Sequence, residues 1–217
     1  MWWLRQRRWL LVLLLLAESA VAPWSARAQD DAPVPWWLRT RQDTPMAGTI
    51  LFDADWTTLP LSAITRPPNT WHVVGDSLVG LGSVLMPLDL PPTQDYVVET
   101  EIQRLGQPGG SFGIVLWEPW YDRYVVHFAN GEAALVDNRG GIGGGIVPQI
   151  ELARTPFDPG NELHLYRGEV QGNDLRLFVD GTLVLSATLG GRTTAFAPPG
   201  VYANTELLIR SFRILAL

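Results

Sequence analysis

The 217-residue chain contains neither cysteine nor lysine. Without cysteine there is no disulfide, thiolate metal site, thiol nucleophile or lipid-modified cysteine anchor. Without lysine there is no Schiff base, no lysine general base and no Walker-type phosphate loop. All 16 basic side chains are therefore arginine. Histidine occurs only three times, at His72, His127 and His164, and no pair has metal-ligand spacing. A net charge of −6 argues against a nucleic-acid partner. Hydrophobic residues reach 47% against 18% charged, which excludes a disordered chain and a coiled coil.

Residues 1–28 differ from the rest. Arg5, Arg7 and Arg8 precede an apolar run from Trp9 to Ala17, and Ala26-Arg27-Ala28 is a small-x-small cleavage site. That order predicts a signal peptide removed after Ala28. The alternative is retention as an anchor, but the run is short of the ~20 residues of a spanning helix, so no stable membrane span is expected after cleavage. Cleavage removes four arginines and Glu18, leaving twelve arginines against twenty-one acids, a net charge of −9. The expected destination is periplasm, cell surface or medium, in keeping with a bacterial cell envelope, where disulfides are optional. Residues 29–48, with Pro33, Pro35 and Pro45 and no periodicity, predict a flexible N-terminal arm. Its Trp36-Trp37 pair either packs on the edge of the following domain or docks a protein partner.

From residue 49 the period is two. Tyr96, Val98, Thr100 and Ile102 alternate with Val97, Glu99, Glu101 and Gln103. Phe112, Ile114 and Leu116 alternate with Gly113, Val115 and Trp117; Tyr124, Val126 and Phe128 alternate with Val125 and His127. In Leu163-His164-Leu165-Tyr166 the leucines read as the inner row. Gly75-Asp76 and Asp180-Gly181 read as tight hairpin turns. No window shows a convincing amphipathic helix after residue 28. Residues 49–217 therefore predict an all-β domain of two antiparallel sheets.

Several segments, in order, resemble the concanavalin A-like lectin/glucanase superfamily, and within it the bacterial 3-keto-disaccharide hydrolase-like (family-16-like) branch. They begin at Phe52-Asp53-Ala54-Asp55-Trp56 and continue through Trp71-His72-Val73-Val74-Gly75-Asp76-Ser77-Leu78-Val79. Gly113-Ile114-Val115-Leu116, Tyr124-Val125-Val126-His127-Phe128 and Asn130-Gly131 resemble its central meander. Asn161-Glu162-Leu163, Leu175 to Gly181, Gly200-Val201-Tyr202 and Phe212-Arg213-Ile214 resemble its closing strands. The resemblance covers about residues 50–217 and implies a jelly-roll β-sandwich with a concave sheet. Such sandwiches carry lectins, enzymes and structural modules alike, so fold does not settle function.

The richest candidate site is Trp117-Glu118-Pro119-Trp120-Tyr121-Asp122-Arg123-Tyr124. Sugars stack their C–H faces on aromatic rings while carboxylates and guanidinium bond the hydroxyls. Trp117, Trp120, Tyr121 and Tyr124 would stack; Glu118, Asp122 and Arg123 would be polar partners. The alternative is that these rings complete the core and cover an edge. A glycoside hydrolase or lyase would need two carboxylates flanking the scissile bond. Glu99 and Glu101, with His127, are the nearest set, yet Gln103 and Thr100 depart from the Glu-x-Asp-x-x-Glu strand of family-16 enzymes. A solvated strand face explains the two glutamates equally. Calcium, which related sandwiches often hold, would fall to Asp53 and Asp55, or to Asp174 and Asp180. Otherwise no cofactor is expected. The glycine-rich run from Asn138 to Gly145 reads as a long hairpin loop or a flap over the sheet. The expectation is an exported, non-catalytic carbohydrate- or glycan-binding sandwich. Its alternatives are a glycosidase or lyase, and a structural or protein-interaction module of the cell envelope.

Overall fold

The computed structural model describes residues 47–67, 70–87, 95–107, 109–117, 123–138, 150–189 and 198–217. Among them run thirteen strands: β1 Ile50–Asp53, β2 Thr65–Arg66, β3 Trp71–Val74, β4 Ser77–Leu85, β5 Tyr96–Arg104, β6 Phe112–Trp117, β7 Arg123–Ala129, β8 Glu132–Asn138, β9 Ile150–Pro156, β10 Leu163–Gln171, β11 Asp174–Val179, β12 Thr182–Thr188 and β13 Gly200–Ala216. One turn of helix, α1 Leu61–Ile64, precedes β2. The expected hairpins form. At Asn130-Gly131 (φ 55° and 77°) and Asp180-Gly181 (φ 49° and 79°) both turn residues are left-handed. That backbone suits the twist of paired strands, and asparagine, aspartate and glycine adopt it most readily.

All pairings are antiparallel. The ladder order is β12-β11-β10-β5-β13-β6-β7-β8-β9. β13 spans 17 residues and stands at the middle of that order, joining its two halves. Its Gly200–Ala203 stretch pairs with β6, and Leu207–Ala216 pairs with β5. β4 follows the same course on its other side, with a register break opposite Ala203 to Leu207.

The ladder folds back on itself. β10 is three strands from β6 in the order, about 14 Å at ordinary strand spacing. Yet the Tyr166 ring on β10 lies 5.8 Å from Phe112 on β6 and 5.1 Å from Phe128 on β7. These contacts cross between two stacked layers, the sandwich the alternation predicts. Tyr96, Ile102, Phe112, Phe128, Tyr166 and Phe212 fill the space between them. Tyr96 donates its hydroxyl to the Leu116 carbonyl, satisfying a phenol buried in that apolar layer.

The phase of β10 differs from the sequence expectation. Tyr166 points inward and Leu165 outward, 41% exposed. The bulky phenol fills the core against Phe112 and Phe128. Arg167 and Glu169, sharing the parity of Leu165, stay at the surface. His164 shares the parity of Tyr166, and its imidazole meets Asp180 Oδ2 at 2.6 Å and the Pro159 carbonyl at 2.9 Å.

The outer face of the β10–β5–β13 layer carries paired charges. Arg167 meets Glu99 at 2.6 Å and Glu169 at 2.9 Å. Arg213 meets Asp53 at 3.2 Å, and Arg210 meets Glu101. The hydrogen bonds from Arg210, aided by Ser211, hold the Glu101 carboxyl below the usual 4.5 against the opposing effect of burial. A depressed carboxylate stabilises the fold above its unfolded value, and that contribution is lost as pH falls through the folded value. We expect unfolding experiments to show stability declining below pH 4.5, with a smaller decline in Glu101→Gln. The pair is partly exposed, so the difference is about 0.5 kcal/mol or less.

The described residues belong to one unit, Thr44–Leu217. Among them no helix is long and apolar enough to cross a membrane.

Candidate functional site

The outer face of the β6–β9 layer is unlike the ion-paired face. Phe112 and Phe128 point inward, so Gly113, Val115, Val125 and His127 point outward. One row crosses six neighbouring strands in register: Ser83, Tyr202, Gly113, His127, Ala134 and Arg154 sit side by side on β4, β13, β6, β7, β8 and β9. From Tyr202 to Arg154 is four strand spacings, about 19 Å.

Gly113 stands at the middle of the row. A Cβ there would lie 2.2 Å from Cε1 of Tyr202, so only glycine lets that ring lie over β6. The Tyr202 ring thereby approaches His127, with centroids 5.8 Å apart and planes 32° from parallel. Two half-buried rings form one platform above a side-chain-free floor. Burial pushes the His127 pKa down, which favours the neutral imidazole. Beside the platform, one row along the strands, Val115, Val125 and Val136 form a buried apolar row against which Leu85 packs.

The far edge is polar. Arg154 meets Glu132 through Nη1 at 2.6 Å and Glu151 through Nε at 2.8 Å. Arg154 and Glu151 are exposed and Glu132 is half-buried. The two carboxylates push the arginine pKa up further still. A platform of ring faces ending in fixed donors and acceptors can stack a sugar ring and bond its hydroxyls.

The sequence candidates fall differently. Glu118, Trp120, Tyr121 and Asp122 lie outside the described residues. Trp117 and Tyr124 are paired in register where β6 and β7 meet, and Arg123 is paired with Asn138. Trp36, Trp37 and the run 139–145 also lie outside. Glu99 and Glu101 face outward from one layer and His127 from the other, so the three do not meet as a catalytic set. Each glutamate is held by an arginine instead. Asp53 bonds Arg213, and Asp55 accepts from the Thr57 amide and hydroxyl, which lowers its pKa. Asp174 accepts from Thr188 and Asp180 from the Leu165 amide. Among the described residues no cluster of three or more histidine or acidic groups stands ready for a metal ion. His164 and Tyr166, expected beside Glu99 and Glu101, sit on the opposite side of β10 from that face. Tyr202, Gly113 and Arg154 were not among the candidates. They lie up to 89 residues apart and share no local pattern; only the outward parity of His127 pointed to this face.

Solved structures share this fold. A protein of unknown function with a galectin-like fold from Bacillus subtilis has 11% identity and a TM-score of 0.59, over 79% of this chain and 98% of its own. The carbohydrate binding module CBM66 from Bacillus subtilis has 15% identity and a TM-score of 0.54, over 67% of this chain and 91% of its own. At these identities the likeness is one of fold. No protein-family model and no curated protein matches the chain.

Proposed function

We propose that this protein is an exported, non-catalytic carbohydrate-binding β-sandwich whose ligand lies on the outer face of the β6–β9 layer. The observation that carries the reading is the Tyr202–His127 platform over Gly113, with Arg154 and its two glutamates at one edge. The reading keeps Trp117, Trp120, Tyr121 and Tyr124, from the segment between β6 and β7, as further stacking groups. Glu118, Asp122 and Arg123 would bond hydroxyls there. Solved relatives in fold that include a carbohydrate binding module support the ligand class. The resemblance to the 3-keto-disaccharide hydrolase-like branch enters as a likeness of scaffold. Separation of Glu99 and Glu101 from His127 supports binding without hydrolysis. Export follows from residues 1–28, with the cell envelope or the medium as destination.

The test is glycan-array screening of protein purified after expression of the full chain, followed by calorimetry on each hit. Tyr202→Ala should weaken binding at least about 10-fold, roughly 1.4 kcal/mol, while circular dichroism stays unchanged. Loss in Trp120→Ala with full binding by Tyr202→Ala would move the site to the connecting segment. A folded parent that binds no glycan would leave the envelope interaction module, with Trp36 and Trp37 as its contact.

A further inference from the structure

We infer that the ligand of this face is an uncharged saccharide. The inference rests on the carbohydrate reading above and narrows it to a chemical class. An anionic sugar is recognised where positive charge is in excess, usually at an arginine with no carboxylate of its own. Arg154 is held by two, which take three of its five N–H donors. Its Nη1 is given to Glu132, while Nε and Nη2 are given to Glu151. The three side chains together carry one net negative charge.

His127 supplies no compensating positive charge. It is half-buried beside Tyr202, and burial disfavours its protonated form. A sulfate or carboxylate on this face would therefore meet two carboxylates first. At the two N–H groups of Arg154 that these bonds leave over it would still stand beside both carboxylates. Sugar hydroxyls meet the opposite situation. A carboxylate accepts about four hydrogen bonds, so Glu132 and Glu151 retain capacity for hydroxyl donors while holding Arg154. The rings of Tyr202 and His127 stack an uncharged pyranose or furanose face without any ion to desolvate.

The experiment pairs neutral probes with charged copies of themselves. Glucan, fructan, galactan, xylan and mannan oligosaccharides are titrated by calorimetry beside their sulfated derivatives. The parent, Tyr202→Ala and Glu151→Gln are compared. We expect the parent to prefer a neutral probe at least about 10-fold over its sulfated copy. Glu151→Gln, which removes one of the two negative charges beside Arg154, should narrow that gap at least about threefold. Preference of the parent for a sulfated probe, lost in Tyr202→Ala, would overturn the uncharged class and leave the carbohydrate face standing. A gap unmoved in Glu151→Gln would remove the Arg154 ion pairs as its cause and overturn the inference in the same way. Binding that survives Tyr202→Ala, or no binding of either class, would overturn the face itself.

Discussion

Phe128→Ala is expected to lower the unfolding free energy by about 3–5 kcal/mol, a large share of a typical domain's stability. Phe128 is 1% exposed and touches aromatic rings on several sides. It stacks on Phe112 at 4.8 Å, meets the edge of Tyr166 at 5.1 Å and lies 5.9 Å from Phe157. Phe112 is its neighbour within one layer, while Tyr166 belongs to the other. Truncation therefore opens a cavity where the layers meet, and rings in both would have to move to close it. Strands held by long ladders of hydrogen bonds resist that collapse. Urea unfolding followed by circular dichroism measures the loss, with Phe128→Leu as the companion that refills most of the space. A loss under about 1 kcal/mol in the alanine variant would mean that the layers do not meet at this ring.

Gly80→Ala is expected to cost about 3 kcal/mol, although it adds one methyl group. A Cβ at this position would stand 2.2 Å from the Thr70 carbonyl oxygen and 2.8 Å from the Trp71 Cα. Both are backbone atoms and cannot rotate aside. The same carbonyl accepts the Leu81 amide at 3.2 Å, so pushing it away also breaks a hydrogen bond. Trp71, which would shift with it, is buried in the core. Gly172→Ala is the control. Its φ is +55° but nothing lies within 4 Å of the added carbon, so only the left-handed backbone is penalised, by about 1 kcal/mol. Thermal unfolding of the two variants should rank them in that order; equal losses would show that strain at Gly80 is conformational rather than steric.

Much of the architecture was legible because it is written locally. Trp71–Val74 and Ser77–Leu85 flank Gly75-Asp76 as read, and β11 and β12 flank Asp180-Gly181. Alternation identified the inward row of β5, with Thr100 tolerated there because its hydroxyl reaches the Ser211 carbonyl at 2.9 Å. Alternation failed in β10 because hydrophobicity and size disagree. Leucine outranks tyrosine as an apolar residue, yet the space opposite Phe112 and Phe128 takes a ring. The phase was carried by Arg167 and Glu169, two and four residues further on. The candidate face was far less legible. Tyr202 and His127 meet over Gly113 only because β13 is paired with β6 along its first four residues. A residue whose importance is the side chain it lacks leaves no chemical signal in a sequence.

Among the described strands, the one latest in chain order is the one on which the others depend. β13 pairs with β1, β4, β5 and β6, and thus joins both layers. Until Gly200–Ala216 has left the ribosome, β5 and β6 lack the strand between them. A nascent chain carrying β1 to β12 can make its hairpins but cannot close the sandwich. Folding therefore waits on pairings between residues far apart in the chain, which form slowly. Under the export proposed above, such postponement would keep the polypeptide unfolded for as long as a transit through a translocation pore requires.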